Sequence, residues 1–313
     1  MKMLNAKIKM KIAITLSCLL LFTQSTIAEE LRIATASQGG AFYPVGQAVS
    51  TLVTKYAEGL EMVPVVTQGS VQNPKLVHSG EVDVGITNNN LAVLANKGVA
   101  AYKKNGAMEL RGIGALHFSV LHMITLAGSD IKTVADLKGK KIALGPAGGG
   151  TIPFTKQVLD LHGLSLKDIT PSFLSYTDGF SQLSDGNVDA AFALSGYPAS
   201  AVMQARVNKD LKFIKLAPGM LEKALDKYPN YNNITVAKDV YNMQEDGAVL
   251  AVNNILFVRA DLDEEKVYKI TKAIYQHMAE FRQINAHAKQ IIVENSKKLK
   301  IPLHPGAARY HNE

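Results

Sequence analysis

The chain has 313 residues with 34 Lys and Arg, 27 Asp and Glu, eight His and a single Cys, and its formal net charge is +7. This length predicts about two domains, each with enough chain for a hydrophobic core. A hydrophobic fraction of 47% with 19% charged residues excludes a disordered protein, and one Cys excludes a disulfide framework and a zinc or iron–sulfur site built from cysteines.

The first 28 residues, 1–28, predict a secretory signal peptide. Four lysines and no acid precede an almost unbroken apolar run at 12–22, and the segment ends in the small residue Ala28. The run is too short to span a membrane as a helix. We therefore expect cleavage after Ala28 and export to the periplasm. Cys18 lies inside the run and is interpreted as a small hydrophobe, with lipidation as the less favoured alternative.

The charge falls once this segment is removed. Residues 29–313 keep 30 basic residues (34 less those four lysines) and all 27 acidic ones, so the net charge drops to +3 and no Cys remains. Most of the support for a nucleic-acid-binding protein disappears with that charge. A chain without a free thiol suits the oxidising periplasm. No later segment approaches about 18 consecutive apolar residues, so we expect a soluble protein.

The segments after residue 30 alternate between strand and helix patterns. Residues 31–36 are a short apolar strand candidate, and from Val45 to Tyr56 apolar side chains recur three, four and seven positions apart, as on one face of a helix. Residues 62–66 are again a strand pattern, and residues 82–86 alternate apolar with polar or small residues. This order predicts an α/β fold with a largely parallel sheet.

Two landmarks recur along the chain. Segment 33–44 has Ile-Ala, a glycine pair and then Pro, and the same succession returns 109 positions later in 142–153. Segment 79–84, SGEVDV, returns 106 positions later as DGNVDA. The common order and similar offset predict two lobes of similar build. The alternative is that any α/β chain reuses strand–glycine–helix turns.

The connections between the lobes follow from two apolar segments. Residues 120–126 are predicted to cross into the second lobe and residues 249–258 to return from it. We therefore expect a ligand cleft between lobe I (29–121 and 252–313) and lobe II (122–251), with a two-strand hinge. The helical tail is predicted to pack on lobe I through one apolar face, formed by Val267, Ile270, Ile274, Met278 and Phe281.

Lobe II has a glycine turn where a predicted strand leads into a helix. Segment 145–151, GPAGGGT, resembles a Walker A loop, but it lacks the Lys that carries the nucleotide phosphate charge, so a phosphate loop is disfavoured. Free N–H groups at the start of a helix can hold an anion such as a carboxylate. We predict ligand contacts from Gly149, Gly150 and Thr151, with a plain tight turn as the alternative.

The matching loop of lobe I is QGGAFYP, residues 38–44. Glycine allows the backbone to approach a ligand closely, and the aromatic residues offer apolar contact and a phenol hydroxyl. Phe42 suits the hydrophobic core equally well. The predicted ligand contacts of this loop are Gln38, Gly39, Gly40, Phe42 and Tyr43.

Polar residues after three further predicted strands complete the candidate site. Open α/β sheets bind ligands at the carboxyl ends of their strands, and Asn can both donate and accept hydrogen bonds. A helix cap or a turn explains several of these residues equally well. The candidates are Ser70, Asn73, Asn88, Asn89, Ser195, Gly196 and Tyr197.

The motifs argue against an enzyme. The eight His do not cluster, and neither His-Glu-x-x-His nor Gly-x-Ser-x-Gly occurs. Asp83 and Asp189 occupy equivalent places in the two halves of the repeat, which favours a structural role over a catalytic pair. We expect no catalytic residue, no metal and no cofactor.

Five segments carry a resemblance to a known family: QGGAFYPVGQA (38–48), TQGSVQNPKLVHSGEVDVGITN (67–88), DLKGKKIALGPAGGGT (136–151), DGNVDAAFALSGYPASA (185–201) and IPLHPGAARY (301–310). They resemble the TAXI family, the solute receptors of tripartite ATP-independent periplasmic (TRAP) transporters. The resemblance covers essentially all of 29–313. It implies a type II-like periplasmic-binding-protein fold, a small carboxylate ligand such as glutamate or 2-oxoglutarate, and a TRAP membrane permease as partner.

The chain departs from that family's pattern at several positions. Gln38 and Phe42 stand where the family has Thr and Tyr, and Gly149 stands in a Ser position. Asn88-Asn89-Asn90 replaces Gln-x-Asp. The loss of that acid favours a carboxylate without an amino group.

We therefore expect a monomeric periplasmic receptor that captures a C4–C5 carboxylate by lobe closure and delivers it to a membrane permease. The alternatives are an ABC-type receptor, a sensor-coupled receptor or secreted adhesin, and a periplasmic enzyme.

Overall fold

The computed structural model describes residues 28–313. Apart from Ala28, the predicted signal peptide lies outside the described residues, and so does Cys18. Among the residues that are described, no helix has the length and apolar character needed to cross a membrane.

Ten strands of the described chain join into one mixed sheet. They are β1 (Glu29–Ala34), β2 (Leu60–Val65), β3 (Val84–Asn88), β4 (Leu110–Leu126), β5 (Lys141–Ala143), β6 (Thr170–Ser172), β7 (Ala190–Ser195), β8 (Leu211–Phe213), β9 (Tyr231–Val236) and β10 (Gly247–Arg259).

Helices alternate with the strands. They are α1 (Phe42–Tyr56), α2 (Asn73–Ser79), α3 (Asn89–Asn96), α4 (Thr151–Leu161), α5 (Tyr176–Ser184), α6 (Ser200–Asn208), α7 (Met220–Lys227), α8 (Glu264–Tyr275), α9 (Met278–Ile284) and α10 (Pro305–Asn312). Short 3₁₀ turns lie at Ala100–Tyr102, Val134–Leu137, Leu166–Asp168, Lys238–Val240, Ala286–Gln290 and Val293–Lys298.

Two long strands belong to both lobes, so the fold is the two-lobed α/β arrangement that the sequence predicts. In lobe I the strand order is β2-β1-β3-β10-β4, with β10 antiparallel between β3 and β4. In lobe II, β5 pairs in parallel with β6 and β7, while β4 continues beside β7 and β10 beside β9. On β4 the neighbouring strand changes at Val120. We keep 29–121 with 252–313, and 122–251, as the proposed limits of the lobes.

The repeat seen in the sequence is a structural repeat. Ile33 of β1 pairs with Val84 of β3, and Ile142 of β5 pairs with Ala190 of β7, all in parallel register. The two aspartates are equivalent too. An Asp83 carboxylate oxygen accepts a hydrogen bond from the Arg32 N–H at 2.8 Å, and an Asp189 oxygen accepts from the Lys141 N–H at 2.7 Å. Each aspartate therefore fastens the loop before one strand to its neighbour, the structural role that the sequence favoured.

The helical tail closes the core of lobe I, as predicted. Its five apolar residues are all buried against α1 and β1, although they are divided between α8 and α9. Smaller apolar clusters cover the opposite face of lobe I and both faces of lobe II.

Strand β4 begins at Leu110, ten residues before the segment that the sequence identified as a crossing. The sequence pattern does not predict the first part of this strand because it contains glycines, and glycine is depleted in strand interiors unless another group must approach closely. A Cβ on Gly114 would lie 2.1 Å from the Tyr275 hydroxyl oxygen, and one on Gly112 would lie 2.4 Å from Leu299 Cδ1. The C-terminal segment thus packs directly on the backbone of β4.

Gly114→Ala tests this packing. The new methyl group would overlap the Tyr275 ring and hydroxyl, so we expect a loss of about 1–3 kcal/mol in the free energy of unfolding. Urea denaturation followed by circular dichroism measures it. Gly128→Ala is the matched control, since open space surrounds its Cβ position. Equal stability of the two variants would contradict this account of β4.

Candidate functional site

The loops after β1 and β2 of lobe I meet the loop after β5, the start of α5 and the end of β7 of lobe II around a small cavity. Its volume is about 20 Å³, which is room for roughly one water molecule. The lobes are therefore closed on each other in this structure. The lining residues are Ala36, Ser37, Gly40, Ala41, Phe42, Gln68, Gly69, Ser70, Pro146, Gly149, Gly150, Tyr176 and Leu194.

Backbone groups join the two lobes directly. The Gly148 carbonyl of lobe II accepts hydrogen bonds from the Val71 N–H at 3.0 Å and the Gln72 N–H at 3.1 Å. On the other side of the cavity, the Ala201 N–H donates to the Gly39 carbonyl at 3.1 Å. N–H groups just before α2 and in the first turn of α6 are thus satisfied by the opposite lobe.

The start of α1 is also bonded across the cleft. Helix α1 has no side-chain cap of its own. Instead the Ala41 N–H donates to the Ser195 hydroxyl at 2.9 Å. Predicted residue Ser195 therefore bonds to Ala41 of the lining, although it does not itself line the cavity.

The glycines at 148–150 allow this close approach. A Cβ on Gly150 would lie 2.3 Å from the Asn88 side-chain oxygen of lobe I, and one on Gly148 would lie 2.8 Å from Gln68 Cβ. Gly150 itself has ordinary right-handed backbone angles. Its lack of a side chain is required by the opposite lobe and not by its own turn.

Thr151 is held inside lobe II. Its hydroxyl lies 2.7 Å from the Tyr176 hydroxyl, and both oxygens lie 3.2 Å from the Leu194 N–H that donates to them. Burial raises the pKa of the Tyr176 phenol, although its hydrogen bonds to Thr151 and Leu194 oppose the shift. The neutral Tyr176 ring lines the cavity, whereas the Thr151 hydroxyl faces these partners.

Asn73 is a structural crosslink. Its side-chain amide donates to the Thr35 carbonyl at 2.6 Å and to the Ile86 carbonyl at 2.7 Å, and its oxygen accepts from the Thr67 hydroxyl at 2.7 Å. These bonds tie the carboxyl ends of β1 and β3 together. Asn73 is fully buried and does not line the cavity.

Asn88 and Asn89 also face protein groups. The Asn88 amide donates to the Asn254 oxygen at 2.8 Å, and the Asn254 amide donates to the Ser119 hydroxyl at 2.9 Å. This chain of hydrogen bonds runs across β3, β10 and β4 beside the hinge. The Asn89 oxygen accepts from the Lys300 N–H at 3.3 Å.

The structure divides the sequence-predicted site. Five of the predicted residues line the cavity, namely Gly40, Phe42, Ser70, Gly149 and Gly150. The others lie beside it: Gln38 is exposed, Tyr43 is half-buried, Gly39 bonds to Ala201, and Gly196 and Tyr197 contact the C-terminal segment of lobe I.

Sequence reasoning missed Ser37, Gln68, Tyr176 and Leu194 among the polar or bulky lining residues. Ser37 has the clearest signal, since it follows β1 at the carboxyl end of a strand. Its hydroxyl oxygen is buried, has no hydrogen-bond partner in the described chain, and belongs to a residue only 9% exposed. A buried hydroxyl without a hydrogen-bond partner costs free energy, so the Ser37 hydroxyl is available to bond to a ligand in the cleft.

The cavity lining contains no charged side chain among the described residues. No group of three or more His, Cys, Asp or Glu capable of holding a metal occurs in the described part of the chain either. The polar side chains of the lining are the hydroxyls of Ser37, Ser70 and Tyr176 and the amide of Gln68, and the start of α1 borders the cavity. Such a lining can hold an anion through neutral donors.

A second cavity of about 240 Å³ lies within lobe II. It is lined partly by lysines, but Lys215 pairs with Glu245, and Lys212 donates to the Ser129 carbonyl. These two cations are already engaged, and every residue that lines this cavity belongs to lobe II, whereas both lobes line the smaller cavity.

A family model described as the NMT1-like family matches residues 33–313. The chain belongs to the NMT1-like family. Among curated proteins, an Escherichia coli K12 protein described as binding aliphatic sulfonates is 37% identical over 90 residues, which is 28% of each chain. The match therefore spans less than a third of that relative.

Solved structures share the fold of this NMT1-like protein. A phosphonate-transporter binding component from Pseudomonas aeruginosa superposes with a TM-score of 0.52 at 10% identity, covering 84% of this chain and 80% of that one. An ancestral arginine-binding protein gives a TM-score of 0.50 at 15% identity, covering 85% and 100%. The fold is thus the two-lobed periplasmic-binding-protein fold.

The predicted membership of the TAXI family is corrected by these comparisons. The matching family is the NMT1-like family, and the curated relative is described as a sulfonate-binding protein, not a TRAP receptor. The segments that suggested TAXI are largely glycine turns and strand ends. In the structure these turns and strand ends form the two lobes and the contact between them. Any chain whose lobes close in this way requires such turns.

Asn73→Asp tests whether Asn73 is structural. A carboxylate would face the carbonyls of Thr35 and Ile86 without a donor, so we expect a loss of at least about 3 kcal/mol in the free energy of unfolding. Denaturant unfolding at pH 7.5 measures it. Asn187→Asp introduces the same charge at an exposed position and should stay within about 0.5 kcal/mol of the parent. A stable Asn73→Asp protein would restore Asn73 as a candidate ligand contact.

Proposed function

We propose that this NMT1-like protein is a periplasmic solute receptor of an ABC-type transporter, and that it captures a small organic anion, an aliphatic sulfonate, by lobe closure. The observation that carries the proposal is the hydroxyl of Ser37, which has no partner in the described chain, beside the start of α1, which has no side-chain cap from its own lobe. The ligand class, the transporter type and the periplasmic location are parts of this proposal.

The head group would bind at the start of α1. This helix has 15 residues, and its first N–H groups carry the positive end of the helix dipole. Ser37 adds a hydroxyl donor from the loop before it. The Ser195 hydroxyl now accepts from the Ala41 N–H, and a sulfonate oxygen could take that place, since both are acceptors.

The remaining lining favours an alkyl chain over a second charge. Phe42, Pro146 and Leu194 provide apolar surface around the cavity. An ammonium group would need a carboxylate and a second carboxylate would need a cation, but no charged side chain lines the cavity in the described residues. A ligand with one anionic end and one apolar end fits better than a C4–C5 dicarboxylate or an amino acid.

The comparisons support the same ligand class. The name of the Escherichia coli relative refers to aliphatic sulfonates, and family membership extends over nearly all of the described chain. The predicted signal peptide supports export. A binding role, rather than an enzymatic one, agrees with the lining hydroxyls. Within the described chain that of Ser37 has no partner and that of Tyr176 bonds to Thr151 and Leu194, so neither has a general base bonded to it.

Capture requires the lobes to open, because about 20 Å³ cannot admit an organic anion. The two hinge strands β4 and β10 would permit this motion. Ligand contacts to both lobes would then favour closure, since a ligand shifts a conformational equilibrium only by its difference in affinity for the two states. A permease would bind the closed form.

Thermal unfolding with a ligand panel tests the proposal. We expect ethanesulfonate or butanesulfonate to raise Tm, since a ligand at 100 times its Kd adds about 2.7 kcal/mol, or roughly 4–5 °C for a chain of this length. Ser37→Ala removes a hydrogen bond to a charged group worth roughly 1.5–3 kcal/mol, so its affinity should fall by about tenfold to a hundredfold.

Gly150→Ala separates closure from folding. Its methyl group would meet Asn88 across the cleft, so we expect a folded protein whose Tm does not respond to sulfonate. Gly128→Ala serves again as the control and should respond like the parent. A Tm response to dicarboxylates or amino acids alone, or to no member of the panel, would reject the sulfonate proposal.

A further inference from the structure

Two buried imidazoles lie directly behind the cleft loop of lobe I. His117 stands on β4 and is fully buried, and His287 stands in the 3₁₀ turn Ala286–Gln290 and is 8% exposed. Their ring centroids are 5.3 Å apart. His117 also makes an edge contact with the ring of Phe42, at 5.9 Å between centroids, and Phe42 lines the cavity.

Lobe II covers this pair. A Cβ on Gly196 would lie 2.8 Å from His117 Cδ2 and 2.8 Å from His287 Nδ1, so the loop after β7 presses its backbone onto both rings. Beside it, the Gln290 side-chain amide donates to the Tyr197 carbonyl at 2.8 Å. Opening of the lobes would withdraw this loop from the imidazoles.

The pair has nothing to stabilise a positive charge. Neither nitrogen of His117 has a hydrogen-bond partner in the described chain, and His287 Nδ1 has none. No carboxylate of residues 28–313 forms an ion pair with either ring.

The other titratable groups on the neighbouring elements do not offset such a charge. His122, further along β4, is engaged by the Tyr241 hydroxyl at 2.7 Å and the Ala193 carbonyl at 3.2 Å. On the C-terminal segment Lys289, Arg282 and Glu294 are exposed to solvent, and the Glu280 carboxylate is engaged by Lys55 and Tyr56. Tyr197 on the covering loop is half-buried. The covered pair must therefore stay neutral.

We propose that His117 and His287 form a proton-sensitive latch, which permits the lobes to close when both rings are neutral and favours opening and ligand release on acidification. The latch rests on the lobe closure of the proposed function. The imidazole pair binds only protons, so the latch does not depend on which anion the cleft binds.

The direction follows from linkage. In the closed form, burial and the neighbouring imidazole hold the pKa of His117 well below its usual range, and burial lowers the pKa of His287 to about 4. In the open form the rings would regain water and titrate nearer the ordinary pKa of about 6.5. Between these values the open form binds more protons. The ratio of closed to open molecules is thus highest above about pH 6.5 and falls by up to tenfold per pH unit for each ring as the pH drops toward 4.

The distance between the lobes measures the latch without any ligand. Since Cys18 is the only cysteine, spin labels can be attached to Glu61→Cys in lobe I and Lys167→Cys in lobe II of a Cys18→Ala chain. Both positions are exposed. We expect pulsed electron paramagnetic resonance to show that the distances between the two labels become longer when the pH falls from 7.5 to 4.5. The double variant His117→Gln/His287→Gln should show no such shift.

His122→Gln is the matched control, because it removes a buried imidazole that does not touch the opposite loop, and it should keep the parent's response. An unchanged distance in the parent, or an equal shift in the double variant, would overturn the latch.

If the double variant does not fold, His287→Gln alone should weaken the response, and imidazole NMR of the parent should show both rings titrating with the distance change. Rings that titrate independently of the distance would also overturn it. Failure of sulfonates to bind would leave this readout intact, so the two proposals fail separately.

Discussion

The closed cleft depends on the close approach of backbone to backbone between the lobes, as where the Gly148 carbonyl of lobe II accepts the N–H groups of Val71 and Gln72 of lobe I. A backbone can approach another this closely only where side chains are absent, which explains the run of glycines at 148–150. The same approach brings Gly150 against Asn88 and Gly40 against the Tyr176 ring. The size of the cavity, the position of Ser195 at the start of α1 and the covering of the imidazole pair all follow from how near these backbones come.

Amide side chains and hydroxyls have different roles in this site. The buried amides of Asn73, Asn88 and Asn254 satisfy one another or the backbone, so they fix the strand ends from which the loops depart. The loops then present hydroxyls, one amide and apolar carbons to the cavity without any charged side chain in the described lining. An anion bound by neutral donors can be released more readily than one paired with a buried cation, because separating a buried ion pair leaves a charge without a partner.

The sequence predicted what periodicity and repetition encode. The α/β pattern, the two-lobed repeat, the return strand and the apolar face of the C-terminal helices all agree with the structure. It failed where function depends on contacts between distant segments. Nothing in the residues around Tyr176 shows that its ring will cover Gly40, and nothing around Ser37 shows that its hydroxyl will lack a partner. Asn73 looked like a ligand contact because a strand end suits ligands and carbonyl groups equally well, and only the fold decides between them. The family resemblance failed for a similar reason, since glycine turns report on backbone geometry more than on the ligand.

Strand β10 has a consequence for the order in which the chain can fold. Lobe I begins at the first strand of the described chain, but its sheet has a gap between β3 and β4 until residues 247–259 arrive. The helices that complete its core follow later still, at 264–284 and 305–312. The same strand also pairs with β9 of lobe II. Neither lobe can therefore complete its sheet before β10 pairs. The loop that must close before β10 can pair with β3 spans more than 150 residues, and this entropic cost slows folding. The part of the protein that is made first becomes native last, together with the hinge on which its motion depends.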